Sequence, residues 1–272
     1  MNYRTLTEEE ILAYHRDGYV IARGFFSPEE AELMYKTAIN DDDLAEHSYD
    51  LNDKSGKKTK LALWYTPGDD IYGKTVRCER MVKSVEKILG GTAGHYHTKL
   101  MQKEPKVGGA WEWHQDYGYW YKSGFLFPEM LSVMVALTEA NKANGCLQVL
   151  KGSHKLGRVE HGFEGDQVGV KQHLIDAIFD YGLELVYVEL KPGDTLFFHC
   201  NTLHTSSANT SDNARWSMIS AYNLTSNKPY LETPKSCIKK IDEVADEEIL
   251  KTSSAVGSER DYLTKETDVS LK

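Results

Sequence analysis

From His95 onward the sequence is a run of short β-like segments separated by turn signals, and this pattern limits the fold more than anything else in the chain. The segments are HTKLMQ (97–102), LSVMVAL (131–137), CLQVL (146–150), LELVYVEL (183–190), TLFFHC (195–200) and RWSMISAYNL (215–224). They are rich in β-branched and aromatic residues, which suit a pleated, half-buried surface. Asn144-Gly145 suits a tight hairpin, and Pro192-Gly193 suits a type II turn. Many short strands with hairpin punctuation predict a β-sandwich or jelly roll.

The first third follows a different grammar. Thr7-Glu8-Glu9-Glu10 has the form of a capping box ahead of Ile11, Leu12 and Tyr14, so a short helix should begin there and stop near Gly18. Tyr19–Ala22 reads as a strand. Ser27-Pro28-Glu29-Glu30 starts a second helix, predicted to run to about Ala38. Val76, Met81, Val82, Val85 and Leu89 recur at helical spacing, which predicts a helix over 75–89 ending at Gly90-Gly91. Residues 40–75 are rich in Asp, Lys, Gly and Ser and read as long loops. The segment from about Asp242 is polar and reads as a surface helix or a partly disordered tail. The whole is read as one domain over 1–272: helical support over about 1–92, a β core over about 93–226 and a polar segment over about 227–272.

Length and charge narrow the function classes. At 272 residues the chain can bury a sizeable core, and a formal charge of −9 argues against nucleic acid or an anionic membrane as the main partner. No apolar run approaches the roughly 18 residues that span a bilayer. MNYRTLTEEE lacks the basic-then-apolar order of a signal peptide, so a cytoplasmic protein is expected. Cys78, Cys146, Cys200 and Cys237 are scattered without a C-x-x-C and are expected to be reduced thiols.

Within AWEWHQDYGYWY (110–121), His114-Gln115-Asp116 is an H-x-D. On a strand, residues i and i+2 share a face, so the imidazole and the carboxylate stand side by side. That is half of the two-histidine, one-carboxylate triad that holds non-haem Fe(II) and leaves positions open. Chance alone supplies roughly one such pattern in a chain of this composition. His15-Arg16-Asp17 is also H-x-D, but it ends a capped helix and is read as structural. Downstream, TLFFHCNTLH offers both His199 and His204 as a further ligand. Arg215 opens a strand, where a guanidinium is costly to bury unless a carboxylate meets it. Either a structural ion pair or a bound dicarboxylate would serve.

The order HQD, NGCLQVLKGSHK, KPGDTLFFH, then H-x-S with an arginine eleven residues beyond that histidine, closely resembles the phytanoyl-CoA dioxygenase family. These are Fe(II)- and 2-oxoglutarate-dependent oxygenases on a double-stranded β-helix of cupin-like form. The likeness covers about 95–224, and EEEILAYHRDGYVIARGFFSPEEAE also looks like the family's N-terminus. Residues 40–75, 157–180 and 230–272 carry none of it. The resemblance implies that His114, Asp116 and His204 bind Fe(II), and that the H-x-S spacing favours His204 over His199. It implies that Arg215 and Ser206 hold the distal carboxylate of 2-oxoglutarate, with Gln102 and Met134 lining the cosubstrate pocket. O2 is the oxidant and hydroxylation the expected outcome, since the family resemblance implies that a site lacking Asp116 could admit halide.

The rings after the triad should shape the substrate space. Trp120, Tyr117 and Tyr119 are expected to face substrate, whereas Trp111 and Trp113 are expected to pack within the fold. Lys99 and His97 could add an anion-binding element. Aromatic walls suit a small polar or cationic molecule, and no basic cluster marks a CoA phosphate site. A small zwitterion is therefore expected as substrate. Two other classes use the same scaffold: a cupin-like metal-dependent isomerase or hydrolase, and a non-catalytic small-molecule-binding protein. Only the oxygenase needs the dicarboxylate clamp of Arg215 and Ser206. The oligomeric state is left open.

Overall fold

The computed structural model describes residues 3–164, 166–231, 238–252 and 260–263. Its helices are α1 (Glu8–Asp17), α2 (Pro28–Ile39), α3 (Asp42–Glu46), α4 (Ile71–Arg77), α5 (Glu79–Leu89), α6 (Asp116–Trp120) and α7 (Gln172–Asp180). The early strands are β1 (Tyr19–Ala22), β2 (Tyr49–Asn52), β3 (Lys58–Trp64), β4 (Ala93–Lys103), β5 (Trp111–His114), β6 (Met130–Ala136) and β7 (Leu147–Leu150). They are followed by β8 (His161–Glu164), β9 (Gln167–Val170), β10 (Leu185–Val188), β11 (Thr195–His199), β12 (His204–Ser206), β13 (Arg215–Leu224) and β14 (Lys239–Lys240).

The helix signals act as predicted. Both capping boxes form: Thr7 and Glu10 close α1, and Ser27 and Glu30 close α2. Gly18 ends α1 with φ at 84°, in the left-handed region glycine tolerates. The helix expected over 75–89 is broken in two by Cys78, whose backbone is extended at φ −64° and ψ 148°. Residues 40–75 are not loops. Asp41 and Asp70 cap α3 and α4 through their side chains, and β2 and β3 lie between those helices. β2 and β3 pair with each other as a local hairpin and β3 pairs in turn with β4, so a polar composition hid elements that do have local partners.

Two antiparallel sheets form the double-stranded β-helix. The larger has eight strands in the order β1-β11-β6-β13-β4-β3-β2, with β14 added to β4; the smaller has four in the order β10-β7-β12-β5. Asn144-Gly145 therefore makes no hairpin between neighbours, because β6 and β7 lie in different sheets and the turn carries the chain across. Pro192-Gly193 does turn as predicted: Asp194 N donates to Lys191 O at 3.0 Å, and Gly193 has φ 87°. Met101, Met134, Leu196, Phe198, Leu147, Val149 and Ile219 fill the space between the sheets. Helices α1–α5 cover the opposite face of the larger sheet, against Leu100, Leu131, Val133, Phe197 and Met218. Cys78, Cys146 and Cys200 are free and buried; Cys237 lies outside the described residues. Among the described residues no helix is long and apolar enough to cross a membrane.

The helical layer is tied together by one buried charge cluster. Arg80 Nη2 donates to Glu30 Oε1 at 2.5 Å, its Nε lies 3.3 Å from Asp246 Oδ1, and its guanidinium stacks 4.3 Å from the Phe26 ring. Glu30 is fully buried, and its other oxygen caps α2. Removing one partner of a buried pair leaves a desolvated charge unmatched. Glu30→Ala should therefore cost about 3 kcal/mol in urea unfolding. Stability equal to the wild type would show that the pair contributes nothing.

Candidate metal centre

His114 ends β5 and His204 begins β12, and the two are register partners across an antiparallel ladder. Side chains directly opposite on such a ladder share a face, and the two imidazole centroids stand 4.0 Å apart. Asp116 Oδ1 lies 3.8 Å from His114 Nε2 and 3.9 Å from His204 Nε2. All three residues are buried, and their ligand atoms lie within 4.8 Å of one another.

Each ligand atom is aimed by a bond on its far side. His114 Nδ1 donates to Glu112 O at 2.7 Å, and His204 Nδ1 donates to Thr202 O at 2.9 Å. Both bonds fix the tautomer that leaves the Nε2 lone pair facing the cluster. Ser132 Oγ donates to Asp116 Oδ2 at 2.5 Å, which leaves Oδ1 for the centre. Burial holds both imidazoles below their ordinary range, so they are neutral and able to ligate. Burial works against ionisation of Asp116, but the Lys99 ammonium and the hydrogen bond from Ser132 favour it, and the carboxyl stays well below the usual range.

The local fold between the ligands is not a strand. β5 stops at His114 and Asp116 is the first residue of α6, so the chain turns at Gln115. The Gln115 amide donates to Gly157 O and Asn201 O at 2.7 and 2.8 Å, and its oxygen accepts from Val159 N. Its backbone N–H donates to His161 Nε2 at 2.8 Å. Gly118 is required beneath that ring, because a Cβ there would lie 2.4 Å from His161 Nε2.

This turn changes which rings face the site. On a helix, i, i+3 and i+4 share a face, so Asp116, Tyr119 and Trp120 line one cavity of about 90 Å³. Tyr117 points the other way: its hydroxyl donates to Phe125 O, and its ring packs with Met130 and Cys200. The strand alternation that placed Tyr117 at substrate does not hold here. Trp111, expected to pack within the fold, lines the cavity as well. Trp113 packs away from it, 6.0 Å from Phe179. His97 and Lys99 reach the cavity from β4, with Lys99 Nζ 3.9 Å from Asp116 Oδ1. Burial holds His97 down to about 3, with Lys99 adding to the effect, and its Nδ1 has no hydrogen-bond partner.

Behind the triad lie two buried basic side chains. Arg215 and Lys103 are register partners on β13 and β4, 4% and 0% exposed respectively. Lys103 Nζ donates to Ser206 O and Ser207 O at 3.3 and 2.6 Å, and Arg215 Nε has no partner. No carboxylate of the described residues pairs with either. Ser206 is buried two residues along β12 from His204. Met134 faces the space between the sheets, beside Leu196 and Ile219. Gln102 does not face that space. It pairs with Trp216 on the helix-covered face, and its amide donates to Ser48 Oγ at 3.4 Å. Strand parity decides this: Lys99, Met101 and Lys103 point inward, so Gln102 points outward. His199 is also apart from the cluster, 5.5 Å from His154 and accepting from Asn201 N. His15 and Asp17 end α1, where Asp17 pairs with Arg16.

The cavity's remaining walls come from segments without a recognisable motif. Tyr49, Leu51, Leu61 and Leu63 come from β2 and β3, Gln167 and Val168 from β9, and Leu263 from the C-terminal segment. No local sequence signal marks them, since only long-range pairing brings them here.

The arrangement is a ready divalent-metal site with two neutral nitrogens and one carboxylate oxygen on one side. The hydrogen bond behind the carboxylate should tune it. Ser132→Ala should weaken Co(II) affinity about tenfold in a competition titration against a chelator. Unchanged affinity would show that the hydroxyl does not orient Asp116.

A family model described as phytanoyl-CoA dioxygenase (PhyH) matches residues 14–217. An ectoine dioxygenase of Bordetella parapertussis is 24% identical over 244 residues, covering 85% of this chain and 79% of that protein. An L-proline trans-4-hydroxylase of Streptomyces griseoviridis is 29% identical over 176 residues, covering 59% and 66%. In shape, the chain matches EctD from S. alaskensis with bound Fe at a TM-score of 0.71, 22% identity and 90% coverage of each chain. The same protein with 2-oxoglutarate and 5-hydroxyectoine matches at 0.69 and 24%, covering 87% of this chain and 82% of that one. These likenesses show the fold, and the family match, which spans most of the sequence, places the chain in the phytanoyl-CoA dioxygenase family.

Proposed function

We propose that the protein is an Fe(II)- and 2-oxoglutarate-dependent hydroxylase of a small polar or zwitterionic molecule, releasing succinate and CO2. The observation that carries this reading is the buried Arg215 guanidinium, which no carboxylate of the described residues meets, beside a Lys103 amine that burial pushes well below the usual lysine range. A buried charge persists where a partner arrives to compensate it. Burial alone pushes Arg215 down to about 10, so it stays cationic at neutral pH and suits an anionic ligand. Ser206 lies two residues, about 7 Å along a strand, from His204, which suits a five-carbon dicarboxylate spanning clamp and metal. A hydrolase or isomerase that works on the same triad without a cosubstrate has no use for such a clamp.

In this reading His114, Asp116 and His204 hold the iron, and Arg215 with Ser206 holds the far carboxylate of the cosubstrate. Iron bound there supplies O2 activation coupled to oxidation of 2-oxoglutarate. The chain's own residues do the rest. Glu112 O, Thr202 O and Ser132 Oγ keep the ligand atoms aimed, so little reorganisation is needed when metal enters. Trp120 and Tyr119 wall off water: Trp120 packs edge-on against His97 at 5.8 Å, and the Tyr119 hydroxyl donates to Val168 O. Lys99 presents a cation at the cavity beside Asp116, suited to a substrate carboxylate. His97 offers a neutral ring whose Nδ1 is still unbonded. The aromatic walls suit the cationic part of a zwitterion. Relatives named for ectoine and L-proline, two small zwitterions, favour the same class.

Two measurements test the reading. Anaerobic protein given Fe(II) and 2-oxoglutarate should develop a weak visible charge-transfer band, lost in His114→Ala and in Arg215→Met. A metal-loaded wild type without the band would end the oxygenase assignment. In air, a panel of small zwitterions should contain at least one that raises succinate release above the substrate-free rate. A response to none of them would remove the substrate class.

A further inference from the structure

The C-terminal residues 260–263 are held against the fold by a cage that the triad does not use. Arg260 has a side chain with no exposure. Its Nη1 lies 2.9 Å from Asp41 Oδ2, and its Nε and Nη2 lie 2.9 and 2.8 Å from Asp70 Oδ2. Both carboxylates are helix N-caps: Asp41 Oδ1 accepts from Leu44 N, and Asp70 Oδ1 accepts from Gly73 N. Each acid thus divides its two oxygens, one for its helix and one for Arg260. The guanidinium is also bracketed by the rings of Tyr72 and Trp64, at 5.2 and 5.4 Å.

The three residues after Arg260 lie along the end of β3. Asp261 Oδ1 accepts from Tyr65 N and Thr66 N, at 3.0 and 2.5 Å, and its Oδ2 accepts from Thr66 Oγ1 at 2.8 Å. Tyr262 bridges to Trp64 and stacks on His47 at 4.3 Å. Leu263 N donates to Leu63 O at 2.7 Å. That bond points the Leu263 side chain inward, 5% exposed, into the same cavity as Asp116, Trp120 and Lys99. The segment lies there because charge, ring stacking and backbone pairing all fix it in one register.

We propose that Leu263 is a specificity-determining residue that closes the outer wall of the substrate cavity, and that Arg260 positions it. The proposal rests on the reading that this cavity receives substrate. The cavity's floor is polar, at Asp116, Lys99 and His97, and Leu263 adds to the aliphatic side formed by Leu51, Leu61 and Leu63. A zwitterion with a small ring would set its charged groups on the floor and its methylenes against the leucines. The bulk at position 263 then limits the size of that ring.

The test has two arms. In the first, wild type, Leu263→Ala and Leu263→Phe are loaded with Fe(II) and 2-oxoglutarate and given L-proline, L-pipecolate or ectoine. All three proteins should form the charge-transfer band. Leu263→Ala should raise kcat/KM for the larger probes over L-proline about tenfold, and Leu263→Phe should move the ratio the other way. Intact bands with ratios unchanged within about twofold would overturn the proposal. In the second arm, hydrogen exchange of the metal-free protein compares wild type with Arg260→Gln. Faster exchange at Tyr65 and Thr66, whose N–H groups Asp261 holds, is expected; equal protection would overturn the docked segment. A wild type that forms no band, or answers to none of the probes, defeats the reading of the reaction or substrate instead. The exchange arm then decides alone whether the segment is held as a wall.

Discussion

The antiparallel pairing of β5 with β12 is the constraint on which the centre depends. It opposes His114 and His204 and sets their rings 4.0 Å apart, although no bond joins them. Two buried imidazoles and a buried carboxylate at this spacing are stable only because each has a dedicated partner behind it. The pairing exists because β12 also pairs with β7 on its other edge, which locks the four-stranded sheet. The larger sheet then supplies Ser132 and Lys99 from across the sandwich, so both sheets must be assembled before the triad is complete.

A second constraint is electrostatic. The interior sets the Asp116 carboxylate beside Lys99 at one place and the Arg215 guanidinium, met by no carboxylate of the described residues, at another. A cation at the first and a dianion at the second would each relieve a desolvation cost that the protein alone leaves unmet. The fold thus stores part of its ligand preference as imbalance rather than as contacts.

Much of this is legible in the sequence because it rests on local signals. Capping boxes at Thr7 and Ser27, the glycine at 193 and the runs from 97 to 224 each have a short-range cause, and each element forms. The motif order brings the triad residues to attention for the same reason. The departures share a different cause. The family resemblance puts Gln102 at the cosubstrate pocket, but one residue of register inverts every side chain of a strand, and Gln102 meets Ser48 on the other face. Strand alternation wrongly turns Tyr117 toward the cavity, because α6 replaces a period of 2 by one of 3.6 immediately after Gln115. The spacing Asp116, Tyr119, Trp120 is the available clue. Residues 260–263 carry no clue, since their order comes from partners far away in sequence, whereas 40–75 holds local signals, a hairpin and two Asp caps, that its polar composition masks.

That distance bears on the order of assembly. Arg260 reaches Asp70 across 190 residues of chain, and its cage exists only once α3 and α4 have formed and presented their capping acids. Contacts of such sequence separation bear the largest closure entropy and form late. The β-helix and its triad need none of them. The contacts that aim the three ligand atoms are separate from that cage, so loosening it would open one side of the chamber without displacing a ligand.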